Sequence, residues 1–167
     1  MDWLNEPARW SGSLDALTVE CEPGTDFWRT THYGFVRDSG HFAYVELGSD
    51  IAVRFRGDFA AQYDQAGLML RVDESNWIKA GIELADGRSW LSVVVTRGLS
   101  DWSQQPAPEP DADGFWTVRA VRDHDSVQLL CGDQPIRLAP LSGDVLAGPM
   151  CAAPEGPGFT CSFHCAI

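Results

Sequence analysis

Lysine is almost missing from this chain of 167 residues: Lys79 stands alone beside eleven arginines. Twelve basic residues face 24 acidic ones, for a formal net charge of −12. Phosphate backbones and anionic bilayers are held by clustered Lys and Arg, so neither nucleic acid nor a membrane surface is an expected partner. No run reaches the ~18 apolar residues of a membrane-spanning helix. The opening Met1-Asp2-Trp3-Leu4-Asn5-Glu6-Pro7 lacks the basic-then-apolar pattern of a secretory leader, and the expected location is cytoplasmic. No Cys-x-x-Cys pair occurs among Cys21, Cys131, Cys151, Cys161 and Cys165. In a reducing compartment these thiols are expected as small buried hydrophobes. Sustained 3.6-residue periodicity is absent too, which excludes a helical architecture. So are the Gly-x-Ser-x-Gly, phosphate-loop and His-Glu-x-x-His motifs. No catalytic residue, metal ligand or cofactor is assigned.

Cys161, His164 and Cys165 have the residue types of a zinc site but the wrong spacing. The segment alternates as a strand, placing Phe159, Cys161, Phe163, Cys165 and Ile167 on one face and His164 on the other. Residues four apart on a strand lie ~13 Å apart, too far to share one zinc with bonds of ~2.3 Å.

What the chain does have is period two. The length suits one domain over residues 1–167, and 44% hydrophobic with 22% charged residues is a globular composition. Alternating or β-branched runs recur at Leu17–Cys21, Thr30–Val36, Phe42–Leu47, Ile51–Arg56, Ala66–Val72 and Trp77–Leu84. They continue at Ser89–Thr96, Phe115–Val121, Ser126–Cys131, Pro135–Ala139 and Phe159–Ile167. Turn signals separate them, so the fold class is all-β, a sandwich of two antiparallel sheets. The stretch Gln104–Asp113, with three prolines, reads as a surface loop.

Asp86-Gly87 is a strong two-residue hairpin turn. Folding about it pairs Glu83 with Trp90, Gly81 with Ser92 and Lys79 with Val94. Ile78, Ala80, Ile82, Leu91, Val93 and Val95 then form a core face. The opposite face carries Trp77, Lys79, Gly81, Glu83, Trp90, Ser92, Val94 and Thr96. A one-residue slip would mix the faces, so turn and pattern agree. The preceding run fits alongside with Gln65, Gly67, Met69 and Arg71 on the same outer face. Gly67, Gly81 and Ser92 then form a row of small residues across three strands, walled by Gln65, Glu83 and Trp90 on one side and by Met69, Lys79 and Val94 on the other. Glycine inside a strand often marks a close approach to the backbone. The row reads as a ligand groove; the competing reading is that a loop covers it.

On this face Lys79 suits an anionic substituent, Glu83 and Gln65 suit hydroxyls, and Trp77 or Trp90 suits stacking on a sugar ring. His32 is a further candidate from an aromatic-rich stretch, and Trp28 and Trp102 are further candidate platforms. Glycosidase chemistry needs a second carboxylate within ~10 Å of Glu83, for which Asp64 and Asp101 are the candidates. Asp111-Ala112-Asp113 is the nearest approach to a calcium cluster, and a weak one.

Several strings resemble one family: Thr25-Asp26-Phe27-Trp28-Arg29, Thr31-His32-Tyr33-Gly34-Phe35, Tyr63-Asp64-Gln65-Ala66-Gly67-Leu68-Met69, Trp77-Ile78-Lys79-Ala80-Gly81-Ile82-Glu83 and Ser100-Asp101-Trp102-Ser103. It is the family named after a yeast regulator of enolase, a domain of unknown function. The resemblance spans nearly the whole chain and implies a concanavalin A-like jelly-roll β-sandwich. It brings no catalytic activity with it. The expected function is a non-catalytic binding module whose concave sheet holds a small polar ligand, a carbohydrate or sugar-like metabolite. The alternatives are a protein-interaction regulator of a metabolic enzyme of the enolase type and a sugar hydrolase.

Overall fold

In the computed structural model, which describes residues 1–167, all but one of the period-two runs form strands and no helix occurs. The strands in chain order are β1 (Asp2–Leu4), β2 (Trp10–Ser13), β3 (Ala16–Cys21), β4 (Phe27–Arg29), β5 (Val36–Asp38), β6 (His41–Glu46), β7 (Asp50–Gly57) and β8 (Gln65–Asp73). They continue as β9 (Asn76–Ala85), β10 (Arg88–Arg97), β11 (Leu99–Pro106), β12 (Trp116–Asp123), β13 (Ser126–Cys131), β14 (Gln134–Pro140), β15 (Leu146–Ala152) and β16 (Phe159–Ala166). Two antiparallel seven-stranded sheets result, ordered β1-β6-β15-β8-β9-β10-β11 and β14-β13-β12-β7-β16-β3-β2.

Alternation decides which side chains meet between them. Ala66, Leu68, Leu70, Ile78, Ala80, Ile82, Leu91, Val93 and Val95 point inward from the first sheet. Leu17, Val19, Ile51, Val53, Phe55, Leu129, Cys161 and Phe163 meet them from the second. Each fully buried Leu, Ile, Val or Phe side chain contributes roughly 1.5–3 kcal/mol, which is what holds the sandwich closed. The hairpin register is the one expected, with Glu83 opposite Trp90, Gly81 opposite Ser92 and Lys79 opposite Val94. Asp86 (φ 51°) and Gly87 (φ 71°) supply its turn with two left-handed residues, as a tight hairpin turn of this hand requires. Gly67 lies opposite Gly81, also as expected.

All five cysteines are free and buried. Burial pushes the thiols of Cys131, Cys151 and Cys161 above the usual thiol range, and that of Cys165 up to about 11. Ile167 departs from the expected core face: it lies beyond the end of β16 and is exposed.

Three further corrections concern the outer face of the first sheet and its edge. The stretch Thr30–Val36 is not a strand. It is the tip of a short hairpin in which Thr30 (φ 62°), His32 (φ 63°) and Gly34 (φ 77°) are left-handed, a conformation that breaks strand geometry. The flanking strands β4 and β5 pair only with each other, forming an arm laid across the sheet's outer face. That face is therefore a second core: Phe27 and Trp28 of the arm pack with Phe42, Met69, Trp77, Val94 and Met150. Finally, the proline-rich stretch is not all loop, because β11 runs through Gln104 and Gln105 to Pro106 at the sheet's edge. An edge strand tolerates a proline because its outward side has no ladder bond to lose.

Candidate functional site

The arm does not cover the whole outer face. Beside its packed end a cavity of about 450 Å³ remains between arm and sheet. The sheet contributes Gln65 from β8, Lys79 and Glu83 from β9, Val94 from β10 and Trp102 from β11. The pleat turns alternate residues to one side, so Lys79 and Glu83, four apart on one strand, share this face. The arm and its approach add Asp26, Trp28, Tyr33, Phe35 and Arg37, and the turn before β8 adds Tyr63. Gly24, Pro154 and Glu155 complete the lining; Pro23 and Ala153, next to them, form a parallel bridge that ties these two loops together.

The walls are aromatic and set at steep angles. Trp28 meets Tyr33 at 5.4 Å and 74°, and Trp102 at 6.0 Å and 82°. Tyr63 meets Trp102 at 6.5 Å and 73°. Partial burial of the Tyr33 hydroxyl, with the influence of Tyr63, pushes its phenol up to about 12. Tyr33 is therefore protonated at neutral pH. Two left-handed non-glycine residues, Thr30 and His32, lie in the arm tip, and a third, Tyr63 (φ 66°), is itself a wall. Each such residue costs ~1–3 kcal/mol, and strain of this kind concentrates at binding sites.

The floor is charged and buried. Lys79 is 5% exposed, and its ammonium donates to the Phe27 carbonyl at 2.8 Å and to Gln65 Oε1 at 2.6 Å. Asp26 Oδ1 stands 3.6 Å away. Gln65 in turn donates from Nε2 to the Tyr63 carbonyl at 3.1 Å, so one chain of bonds links arm, sheet and turn. Glu83 is 7% exposed and has no ion-pair partner within contact distance. Gln104 donates to it at a long 3.5 Å. Burial holds its carboxyl above the usual carboxylate range despite the opposing pull of Lys79.

Of the residues singled out in the sequence, Gln65, Lys79, Glu83 and Val94 line this cavity together with the candidate platforms Trp28 and Trp102. Ser92 stands behind the wall, where it accepts from Trp102 Nε1 at 2.9 Å. The space over Gly81 and Ser92 in this row is only about 10 Å³, no room for a ligand. Its glycines serve the sheet: a Cβ on Gly67 would come 2.6 Å from Gly81 Cα. Met69 and Trp77 lie beneath the arm at 0% and 1% exposure, so neither presents a face to a ligand. Thr96 is also covered, bonded at 2.8 Å to Ser100, whose hydroxyl accepts the Arg29 amide of the arm. Trp90, opposite Glu83 beside the hairpin turn, is not part of the cavity lining and donates to the Ala85 carbonyl. His32 sits on the outer side of the arm tip, edge-on to Tyr33 in a shallow depression. Neither proposed second carboxylate lines the cavity. Asp64 is tied to the amides of Ala60 and Ala61, and Asp101 pairs with Arg137. Asp111 and Asp113 both go to Arg54.

A family model described as "Protein of unknown function (DUF1349)" matches residues 3–166. The chain belongs to this family. Within it, the Saccharomyces cerevisiae protein named "Regulation of enolase protein 1" is 41% identical over 96% of this chain and 85% of its own length. A crystal structure of a functionally unknown protein from Saccharomyces cerevisiae superposes with a TM-score of 0.90 at 38% identity, covering 99% of this chain and 95% of that one. The carbohydrate binding module CBM66 from Bacillus subtilis superposes at 0.59 and 14% identity, covering 97% of this chain and 91% of that one. At that identity the likeness is one of fold, the jelly-roll sandwich.

The DUF1349 chain thus holds lining residues that sequence reasoning passed over: Asp26, Tyr33, Phe35, Arg37, Tyr63 and Glu155. Most lie outside the registered strands, on the arm and in turns, where period-two reasoning is silent. The signal available was the density of aromatics between Phe27 and Phe35, together with Gly34, which marks a turn.

Proposed function

We propose that this protein is a non-catalytic binding domain that holds a small hydroxylated ligand, a carbohydrate or sugar-like metabolite, between the arm and the sheet. The observation that carries the reading is one cavity, open to solvent, combining a polar floor of Gln65, Lys79 and Glu83 with walls of Trp28, Trp102, Tyr33 and Tyr63. Aromatic faces pack on the apolar side of a sugar, while amide and carboxyl groups take its hydroxyls. A volume of about 450 Å³ falls within the range of small-molecule sites. A binding role is supported by what the ionisable groups do: Lys79 is tied down by protein acceptors, and Tyr33 keeps its proton. The Bacillus subtilis module offers the same fold in a protein described as binding carbohydrate.

The test is a panel of mono- and disaccharides, polyols and sugar phosphates, read by tryptophan fluorescence and by calorimetry. Binding that Trp102→Leu or Gln65→Ala weakens ~10-fold supports the reading. No binding by any member in the millimolar range overturns it. The name of the yeast relative favours a second reading, association with enolase. Tyr33, Phe35, Val36 and Leu99 form an exposed apolar group near the arm tip that suits such a contact. Sedimentation of the two purified proteins together tests it, and independent sedimentation at micromolar concentrations rejects it.

A further inference from the structure

We infer that the cavity selects a ligand bearing a positively charged amine, an amino sugar or a quaternary ammonium compound, rather than a neutral sugar. This rests on the reading of the cavity as a ligand site and names the charge of what enters it. The walls come first. Trp28 stands at 82° to Trp102 and 74° to Tyr33, and Trp102 at 73° to Tyr63. A flat sugar needs one platform; rings at near right angles instead enclose a compact group from several sides, which is the arrangement that attracts an ammonium through the ring faces.

The floor is the second, independent observation. Glu83 is nine-tenths buried, lines the cavity and touches no cation. Lys79 is spent on the Phe27 carbonyl and Gln65, and Asp26 is the carboxylate nearest its ammonium. Arg37, the remaining cation of the lining, lies 5.2 Å from the centre of the Phe35 ring and forms no ion pair. Gln104 and Ser92 are the neutral groups beside Glu83, and Lys79, Asp26 and Tyr33 are the titratable groups that feel it. Burial favours the protonated form of this carboxyl, against the partly opposing pull of Lys79. An entering ammonium takes the proton's place and leaves the ion pair enclosed by aromatic rings. The net charge of −12 draws cations toward the molecule from a distance.

Titration calorimetry on the full chain decides the matter, with glucosamine against glucose and choline against its uncharged carbon isostere. Runs in two buffers of different ionisation enthalpy count the protons released. The charged member of each pair is expected to bind at least ~10-fold tighter with release of up to one proton. Glu83→Gln, which keeps the shape of the floor, is expected to abolish both the preference and the proton release. Equal binding of glucosamine and glucose overturns the inference and leaves the sugar-binding reading standing. Binding of choline with no sugar bound upholds the inference and removes the sugar reading. Absence of binding by all four probes overturns the inference, while the broader panel still decides the sugar reading. A charge preference that persists in Glu83→Gln overturns the assignment to Glu83.

Discussion

Replacing Lys79 by methionine separates an anchoring role from a ligand-binding one. The ammonium bridges β9 to the arm through the Phe27 carbonyl at 2.8 Å and to β8 through Gln65 at 2.6 Å. Methionine keeps most of the stem in place but strands both acceptors in a site where Lys79 is 5% exposed. Each hydrogen bond to a charged donor is worth ~1.5–3 kcal/mol, and a buried acceptor left unpaired costs ~1–3 kcal/mol. Against this stands the relief of no longer burying an ammonium, which offsets part of the loss. The expected net destabilisation is ~2–4 kcal/mol, or roughly 4–16 °C in Tm for a chain of this size. Urea denaturation at neutral pH measures the first and calorimetry the second. Hydrogen exchange is expected to show faster opening of Phe27 to Asp38 than of β9 and β10, because the arm loses its tether while the hairpin keeps its ladder. Stability within 0.5 kcal/mol of the parent, with unchanged exchange in the arm, would refute the reasoning and return Lys79 to the role of a ligand contact.

Two further outcomes follow from the same geometry. Burial raises the Glu83 carboxyl above its ordinary value of 4.5 in the folded state. The stability this group contributes is therefore present below that ordinary value and is lost as pH rises through the raised one. Glu83→Gln, which never ionises, should gain stability relative to the parent as pH climbs from about 4 to about 8, and parallel urea curves that show no such trend would reject the assignment. Gly67→Ala would place a Cβ 2.6 Å from Gly81 Cα, so β8 and β9 must separate. A loss of ~3 kcal/mol or more in denaturant unfolding is expected, and a neutral result would show that the two strands approach less closely.

The strands around the site were legible because their information is local. Alternation sorts Ile78, Ala80 and Ile82 from Trp77, Lys79 and Gly81, and the Asp86-Gly87 turn sets which residue faces which across β9 and β10. The pairing of Gly67 with Gly81 followed from keeping like faces together. The same logic misjudged what the outer face was for. Met69, Trp77 and Val94 looked unpartnered because their partners, Phe27 and Trp28, are far away in sequence and sit in an arm whose tip is left-handed.

Lys79 shows the division most clearly. Its rarity in an arginine-biased chain and its place on the outer face were written in the sequence, as was the short list containing Gln65 and Glu83. That its ammonium is held by a carbonyl 52 positions earlier was not. Strand faces and register arise from period two and a two-residue turn, and both are readable within a few residues. The cavity arises where a chain segment crosses a sheet and fails to cover all of it, a matter of long-range packing. Local alternation and one tight turn set the sheet and its faces; long-range packing closes the arm over Trp77 and leaves Glu83 lining a cavity with Trp28, Tyr33, Tyr63 and Trp102.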